Sequence, residues 1–536
     1  MPQSRWRSGG WRAPGAMLIS GSHAALLQAN QFSMLQNCWQ RFGKIVKRGG
    51  TAIQGSALSA ATCRWLQHAY SANSSTALAL RLGLSGTLIR YKVGAGGWTT
   101  VTSGLTAGTF PISVTYKDIV WWCDGTNSAR QLTIANPPVD SAWGGLPSGI
   151  NPSWVVLHKN RLYYGGDLSS PTYVYMTNPG TPTTTTTTDF YQIPDDQRGF
   201  YPKIAVDMGE GIGFFAQDYK CFMTGTGPLS HRIYQFEKAA APISWRTVVS
   251  MGDGLAFYLT ERGPYSWDGH SPAIPLDPYE EQNWGDIDLT TETDTWAIRY
   301  GDYYILAYKS KGNTTAAATG TALMRPSMLM ANRTRLTTAA TGDTTTARCM
   351  IYDTKQKQWS GVHDFKFLSG AVEEALYADT QDLWVGDATT TGNVGKWDQA
   401  GTYQDYSANY EMKVRTGGIG DEFGRTSVDA VRLKLSIQKT ETAQAQVQVY
   451  SNGSVRDPAT WGPVPIDMSM ASGLSYGPAH YTNDDTPEDF VIRQALSPYK
   501  GQVGKSGYSP QIEFTDSTPD FTAIYAIEAD VTTEEE

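Results

Sequence analysis

One phrase recurs through the middle of this chain: a turn of Gly, Asp or Asn followed by four to six aliphatic and aromatic residues. Most copies continue through a second turn into another short strand, so the recurring unit is predicted to be a β-hairpin or meander. The copies are YKDIVWWCDG (116–125), HKNRLYYGGD (158–167), GEGIGFFAQDYKCF (209–222), DGLAFYLTERGPYSWDG (253–269), YGDYYILAY (300–308) and TQDLWVGD (380–387).

Hairpins that recur at intervals of about 30 to 50 residues are typical of a β-propeller. A single blade cannot bury both of its faces, and large aromatic side chains fill the space between neighbouring blades. We therefore predict an all-β chain with a β-propeller of six or seven irregular blades at 78–406. Sandwiches and barrels also contain aromatic hairpins and stay open as alternatives here. The residues predicted to pack between blades are Phe214, Phe215, Phe257, Tyr258, Tyr303, Tyr304 and Trp384.

Composition agrees with an all-β chain, since 54 of the 536 residues are glycine, aromatic residues reach 12% and charged residues only 18%. No run of about 18 apolar residues occurs, so membrane insertion is not expected. The five cysteines are scattered and show no C-x-x-C spacing, which predicts reduced, buried thiols.

The pattern changes after about residue 407, where longer strands alternate apolar and polar residues. In VRLKLSI (431–437), Val431, Leu433, Leu435 and Ile437 occupy one phase and charged or polar residues the other. This period of two predicts a β-sandwich-like domain at 407–536. Within the propeller, the Thr-rich stretch 181–190 and the long insertion 312–349 are predicted to be outward loops. The apolar centre of the insertion, MRPSMLM, either meets a partner or packs back onto its blade.

Charge divides the chain into two parts. The whole chain carries −8, yet no Asp or Glu precedes Asp118 and twelve Lys and Arg residues do, so residues 118–536 carry −20. We expect residues 1–77 to form a basic N-terminal arm that docks onto an acidic protein surface, in preference to nucleic acid, which stays an alternative. Its candidate docking residues are Arg41, Lys44, Lys47 and Arg48. Solvated charges beside a turn are the competing interpretation.

A search for catalytic motifs finds no G-x-S-x-G elbow, phosphate-binding loop or H-E-x-x-H. The acidic doublets Glu280/Glu281 and Glu373/Glu374 could supply a glycosidase pair only if the fold set their separation. The seven histidines never fall at metal-ligand spacing. We expect no enzyme activity, no catalytic residues, no cofactor and no metal.

Three stretches carry a resemblance to a known family: LQNCWQRFGKIVKRGGTA (35–52), HKNRLYYGGDLSSPTYVYMTN (158–178), and the pair GIGFFAQDYKCFMTGTG (211–227) with VVSMGDGLAFYLTERGPYSWDG (248–269). They resemble the tail nozzle proteins of short-tailed bacteriophages, the tail tubular protein B or packaged-DNA stabilisation family, over about residues 30–406. The Thr-rich loops and the long insertion depart from the family pattern, which leaves the distal loops and their partners open.

The resemblance implies a structural virion protein of the tail: a homo-hexameric ring below the portal and adaptor that retains packaged DNA and conducts it during ejection. It also implies contacts with the adaptor, or head-to-tail connector, and with tail fibre or tailspike proteins. DNA would pass without specific binding, because an acidic wall repels phosphates. Two other classes stay open: a carbohydrate-binding or depolymerising propeller of a tail fibre, and a baseplate or head-completion structural protein of another phage type.

Overall fold

The structure is a computed structural model that describes most residues of the chain. These residues are 6–12, 17–18, 31–41, 44–71, 78–185, 190–193, 202–216, 219–227, 230–237, 240–277, 284, 287, 295–309, 347–364, 367–374, 381–387, 392–399, 403–406, 408–416, 425–437, 444–450, 461–467, 488–493, 511–517 and 522–534.

The recurring phrase marks the turn between the first and second strands of a sheet. In two copies both central turn residues have positive φ, 52° and 56° at Lys117 and Asp118, and 43° and 64° at Lys159 and Asn160. This geometry matches the twist of antiparallel strands, so the chain reverses at once. The apolar run that follows each turn is the buried second strand of its sheet.

Six strands come before the first complete sheet, and they serve different parts of the molecule. They are β1 (Trp6–Arg12), β2 (Met17–Leu18), β3 (Gln31–Gln36), β4 (Cys38–Arg41), β5 (Lys44–Lys47) and β6 (Gly50–Ile53).

Five four-stranded antiparallel sheets then follow one another, and we number them blades 1 to 5. Blade 1 contains β7 (Cys63–Ser71), β8 (Leu78–Ser85), β9 (Leu88–Val93) and β10 (Thr99–Thr102). Blade 2 contains β11 (Ile112–Tyr116), β12 (Ile119–Cys123), β13 (Arg130–Thr133) and β14 (Val139–Ala142). Blade 3 contains β15 (Trp154–His158), β16 (Arg161–Gly165), β17 (Tyr173–Met176) and β18 (Phe190–Gln192). Blade 4 contains β19 (Ile204–Asp207), β20 (Gly211–Phe215), β21 (Lys220–Thr224) and β22 (Arg232–Glu237). Blade 5 contains β23 (Val249–Gly252), β24 (Leu255–Thr260), β25 (Gly263–Trp267) and β26 (Ile274–Pro275).

Two further meanders complete the ring. Blade 6 contains β27 (Trp296–Tyr300), β28 (Tyr303–Lys309), β29 (Ala347–Asp353) and β30 (Gln358–His363). Blade 7 contains β31 (Phe367–Glu374), β32 (Gln381–Asp387) and β33 (Val394–Gln399), with β6 as its fourth strand. Blades 1 to 5 and blade 7 are thus six small sheets in a ring, whereas blade 6 also belongs to a ten-stranded sheet. The chain is an all-β propeller, as predicted.

Side chains join each blade to the next around the whole circle, and aromatic rings dominate these seams. Of the seven aromatic residues predicted to pack between blades, six are buried and Tyr303 is half-buried. Trp65 Nε1 lies 3.0 Å from Ser113 Oγ between blades 1 and 2, and Arg81 Nη2 lies 2.7 Å from Glu373 Oε1 between blades 1 and 7. The other seams, taken in order from blades 2 and 3 to blades 6 and 7, each have a pair of aromatic rings. The distances between ring centroids are 5.0 Å for Trp143–Tyr164, 5.6 Å for Trp154–Phe214, 5.2 Å for Phe215–Tyr258, 5.6 Å for Phe257–Tyr304 and 5.1 Å for Trp296–Phe367.

The N-terminal segment closes the ring, because β6 pairs antiparallel with β33, and Ile53 and Ala52 lie opposite Gly395 and Lys396. A short strand, β34 (Gln404–Asp405), pairs with the free side of β6 and continues into β35 (Ala408–Asn409). At Gly50 a Cβ atom would lie 2.1 Å from the carbonyl oxygen of Gln404, so the close approach of these strands requires glycine.

The extra domain consists of two packed sheets built from both ends of the chain. Its remaining strands are β36 (Met412–Thr416), β37 (Arg425–Ile437), β38 (Gln444–Tyr450), β39 (Trp461–Asp467), β40 (Glu488–Arg493), β41 (Gln511–Asp516) and β42 (Thr522–Glu534). One sheet has the order β4-β5-β42-β37-β40, with β1 also on β42. The other continues blade 6 outward through β30-β3-β36-β41-β38-β39, and β2 pairs with β3. This sheet-rich region agrees with the predicted β-sandwich-like domain, and in it Leu433 and Leu435 lie opposite the fully buried Ile527 and Ile524.

The structure divides residues 1–77 differently from the predicted separate arm. Strands β1, β3, β4 and β5 belong to the sandwich region, β6 belongs to blade 7, and β7 is already the first strand of blade 1. The physical reason is non-local pairing, in which upstream strands complete sheets formed much later in the chain. Of the insertion predicted at 312–349, residues 347–349 lie in β29 and the rest lie outside the described residues.

Candidate functional site at the junction of the propeller and the sandwich

The predicted docking residues lie on the β4–β5 hairpin and directly after it. Arg41 lies opposite Lys44 at the tip of this hairpin, and Lys47 lies opposite Cys38 at its base. Along β5, Ile45 and Lys47 are buried while Lys44 and Val46 are half-buried. Because alternate residues of a strand share a face, Lys47 follows Ile45 into the interior.

Lys47 forms an ion pair inside the sandwich. Its Nζ lies 3.2 Å from Oδ2 of Asp516, and both side chains are completely buried. The hydroxyl of Thr522 donates to the same carboxylate oxygen at 2.6 Å, and the ring of Tyr410 lies 5.3 Å from the ammonium. A buried charge is tolerated when it is paired and hydrogen-bonded in this way, so Lys47 is fully engaged within its own chain.

Arg48 forms the second buried pair, with Asp405. Its Nη1 donates to Oδ1 at 2.8 Å and its Nη2 donates to Oδ2, which is the two-pronged geometry that favours arginine over lysine. The guanidinium also stacks 4.0 Å from the ring centroid of Tyr410, whose hydroxyl donates to the Arg48 carbonyl. Burial alone would lower the pKa of Arg48, but the Asp405 carboxylate reverses this effect and raises it. Arg48 is therefore charged and neutralised within the chain.

Asn37 connects this pair to blade 6. Its backbone N–H donates to the carbonyl of Val362 at 2.8 Å, and its carbonyl accepts from the Arg48 N–H at 3.1 Å. Its side-chain Nδ2 donates to Asp364 at 3.1 Å and to the carbonyl of Glu411 at 2.7 Å. Asn37 has φ of 55°, a left-handed conformation that asparagine tolerates better than most residues. One side chain thus links blade 6, the N-terminal segment and the start of the sandwich.

These contacts correct the docking prediction for two of its four residues. Lys47 and Arg48 do meet acidic groups, but the groups are Asp516 and Asp405 of the same chain, so neither side chain is available to another protein. Lys44 is half-buried, and the side chain of Arg41 lies outside the described set, so their docking role stays a prediction. The sequence signal for the burial of Lys47 is its position two residues after the apolar Ile45 in KIVK, because alternate residues of a strand share a face.

Glu373, from one of the acidic doublets, closes the ring between blades 7 and 1. Its carboxylate lies 2.7 Å and 3.0 Å from Nη2 and Nε of Arg81, and that guanidinium stacks 4.2 Å from the ring centroid of Trp384. Burial favours a higher pKa for Glu373, but Arg81 outweighs it and lowers that pKa. Glu373 is thus an ionised structural partner. The side chain of Glu374 and the doublet Glu280/Glu281 lie outside the described set.

A further arginine, which the sequence analysis did not single out, crosses the centre of the propeller. Arg246 lies in a short 3₁₀ helix (Trp245–Thr247) just before blade 5, and its guanidinium stacks 3.7 Å from the ring centroid of Phe110, just before blade 2. Its Nη2 donates to the carbonyl of Leu368 in the first strand of blade 7. Blades 2, 5 and 7 are not neighbours, so these contacts span the axis, and side chains occupy this end of it.

The five cysteines are buried, as predicted, and none forms a disulfide in this structure. Burial raises the pKa of each thiol. Among the described residues, no three His, Cys, Asp or Glu side chains come together in a group that could hold a metal ion. No helix in the described part of the chain is long and apolar enough to cross a membrane.

No protein-family model matches this chain, and no curated protein matches it. Solved structures match it as folds at low similarity. The N-terminal domain of Nup159 is 10% identical with a TM-score of 0.37, over 73% of this chain and 98% of that one. A structural genomics protein of unknown function from Bacteroides thetaiotaomicron is 10% identical with a TM-score of 0.31, over 65% and 75%. YCF48 bound to D1 peptide is 11% identical with a TM-score of 0.30, over 58% and 90%.

Proposed function

We propose that this chain is a structural subunit of a virion tail, a tail nozzle protein that forms a hexameric ring below the portal and adaptor of a short-tailed phage. The ring retains packaged DNA and conducts it during ejection, and it works without catalysis. The proposal rests on the resemblance over about residues 30–406 and on three physical features of the chain.

The observation that carries the proposal is the crossing of the propeller axis by Arg246. Arg246 lies just before blade 5, and its guanidinium contacts the ring of Phe110, just before blade 2, and the carbonyl of Leu368 in blade 7. A duplex cannot pass through an axis that packed side chains occupy. A DNA path must then lie between copies of the chain, which is the arrangement that a ring of subunits provides.

The second feature is the way in which the two domains are fastened together. The strands β30, β3 and β36 continue one sheet from blade 6 into the sandwich, and the pairs Arg48–Asp405 and Lys47–Asp516 lie buried beside it. A subunit that retains packaged DNA needs domains that do not swing on a flexible linker. A continuous sheet with buried ion pairs meets this need.

The third feature is charge. Residues 118–536 carry −20. Each Lys or Arg contact to phosphate would add affinity and resist sliding, whereas a surface with excess carboxylates repels the polyanion. A conduit for outgoing DNA is favoured by such repulsion. Basic residues near the N-terminus, with Arg41 and Lys44 as candidates, would then contact the adaptor, and the outer loops would contact tail fibre or tailspike proteins.

Native mass spectrometry and electron microscopy of the purified chain test this proposal. We expect six copies around a central channel. A stable monomer at micromolar concentration, or a ring whose channel is lined mainly by Lys and Arg, would contradict it. Hydrolysis of capsule polysaccharide by the purified chain would instead favour the tail-fibre depolymerase, and an assembly without an adaptor-binding face would favour a baseplate or head-completion protein.

A further inference from the structure

Two buried histidines lie in the seam between blades 3 and 4, with a tyrosine ring between them. His158 ends β15, and His231 directly precedes β22. The ring of Tyr163 lies 6.0 Å from His158 and 5.8 Å from His231, measured between centroids. All three residues are at most 2% exposed, and the ring of Tyr191 packs edge-on against His231. The seam is therefore dry and contains two groups that can gain charge near neutral pH.

One carboxylate decides which ring nitrogen of His158 carries a proton. His158 Nδ1 lies 2.7 Å from Oδ1 of Asp207, and since an ionised carboxylate only accepts, Nδ1 donates to it. Among the described residues, His158 Nε2 and the Tyr163 hydroxyl have no hydrogen-bond partner. Asp207 thus pairs with His158, and within the described part of the chain neither His231 nor the Tyr163 hydroxyl forms a hydrogen bond or ion pair with a carboxylate.

Two cations also lie near the cluster, one in the turn between β15 and β16 and one at the start of β16. Lys159 donates to the carbonyl of Glu210 at 2.9 Å, and Arg161 donates to the carbonyl of Thr177 at 3.4 Å. Within the described part of the chain, neither forms an ion pair with a carboxylate. Burial lowers the pKa of His231, the charges of Arg161, His158 and Lys159 lower it further, and the backbone carbonyl of Thr224 opposes them only in part. The charges of Arg161, Lys159 and protonated His158 therefore disfavour the imidazolium.

We propose that this seam is an acid-sensitive switch, in which proton uptake by His231 loosens the contact between blades 3 and 4. At a pH above 6.5, the ordinary pKa of an imidazole, His231 is neutral whether blades 3 and 4 are in contact or apart. The contact between the two blades then has its full stability. As the pH falls below that value, the open form binds the proton first and becomes favoured, until the closed form also protonates. The element that moves is the outer hairpin of blade 4, β21 and β22, because His231 lies in the segment that joins them.

Hydrogen–deuterium exchange of the full chain tests the switch. Peptides that cover β21 and β22 are compared at about pH 7.5 and about pH 5.5, on either side of the ordinary imidazole pKa, after correction for the intrinsic pH dependence of exchange. Blade 2 peptides serve as the internal reference. We expect blade 4 exchange to speed up at the lower pH by about tenfold for each unit that separates the pKa of the closed and open forms, until the closed form protonates.

The matched variants are His231→Gln and His68→Gln. His68 lies in β7 of blade 1, so its loss should leave the pH response of blade 4 intact, whereas the loss of His231 should abolish it. Unchanged protection of blade 4 in the natural chain, or an equal response in His231→Gln, overturns the switch. If His231→Gln does not fold, Arg161→Gln decides: removal of this cation should raise the pKa of His231 in the closed seam, so the increase in blade 4 exchange at the lower pH should shrink, and an unchanged increase overturns the proposal.

Discussion

Arg48 and Asp405 are 357 positions apart in the sequence, yet they share a two-pronged ion pair at the junction of the propeller and the sandwich. The Arg48 guanidinium is completely buried and the Asp405 side chain is 15% exposed. The pair lies beside β6, the strand that closes blade 7. Closure of the ring and attachment of the sandwich therefore depend on the same short stretch of chain.

Replacement of Arg48 by Met should lower the free energy of unfolding by about 3–5 kcal/mol, because Asp405 would keep a mostly buried charge without its partner. Denaturant unfolding measures this loss. The double variant Arg48→Met with Asp405→Leu should recover part of it. The control is Lys355→Ala, which removes an exposed pair with Asp302 and should leave the unfolding midpoint unchanged. An Arg48→Met chain as stable as the natural one would contradict the assigned role.

Gly50→Ala should push β6 away from β34, since the new Cβ would lie 2.1 Å from a backbone oxygen that cannot rotate aside. Overpacking of this kind typically costs about 1–3 kcal/mol. We expect earlier thermal unfolding and faster proteolysis within blade 7. Gly97→Ala is the control, because no atom beyond its adjacent residues lies within 4 Å of its added Cβ. Equal behaviour of the two variants would show that β6 does not hold the ring closed.

The seam between blades 7 and 1 should respond to acid in a direction set by Glu373. Its pKa is lowered from the ordinary 4.5, so the stability that it contributes is present above that value and is lost as the pH falls through the folded-state pKa. Glu373→Gln should therefore be less stable than the natural chain at neutral pH, and this difference should shrink below about pH 4. Unfolding curves at neutral and acidic pH measure it. A constant difference between the two chains would contradict the ionised pair.

Two of the predicted docking residues, Lys44 and Lys47, should respond differently to charge reversal. Lys44→Glu should weaken binding to the adaptor while the chain still folds, whereas Lys47→Glu should prevent folding, because it places a second carboxylate beside Asp516. Sedimentation with the purified adaptor measures binding at about 0.05 M and about 1 M salt, where the screening length falls to about 3 Å. Full binding by the Lys44→Glu variant at both salt concentrations would remove Lys44 from the contact.

The local features of this fold could be predicted from the sequence, and the non-local ones could not. A turn such as Lys117–Asp118 and the apolar run after it are contiguous, so the pattern predicted the hairpins and the propeller. The closing strand β6 pairs with β33, and no local pattern specifies a partner so distant. Net charge likewise indicated a basic N-terminal segment, but it could not show that Asp405 and Asp516 neutralise Arg48 and Lys47. Arg246 was missed because its role depends on two segments that only the ring brings together.

The way in which the sandwich is assembled from both ends of the chain has a consequence for synthesis. Strand β5 leaves the ribosome long before its neighbour β42. Blades 1 to 5 can pair locally as they emerge, whereas the hairpin β4–β5 must wait with one edge unpaired. Contacts between such distant segments form slowly, so completion of the sandwich should be the late step of maturation and the point at which a chaperone helps most.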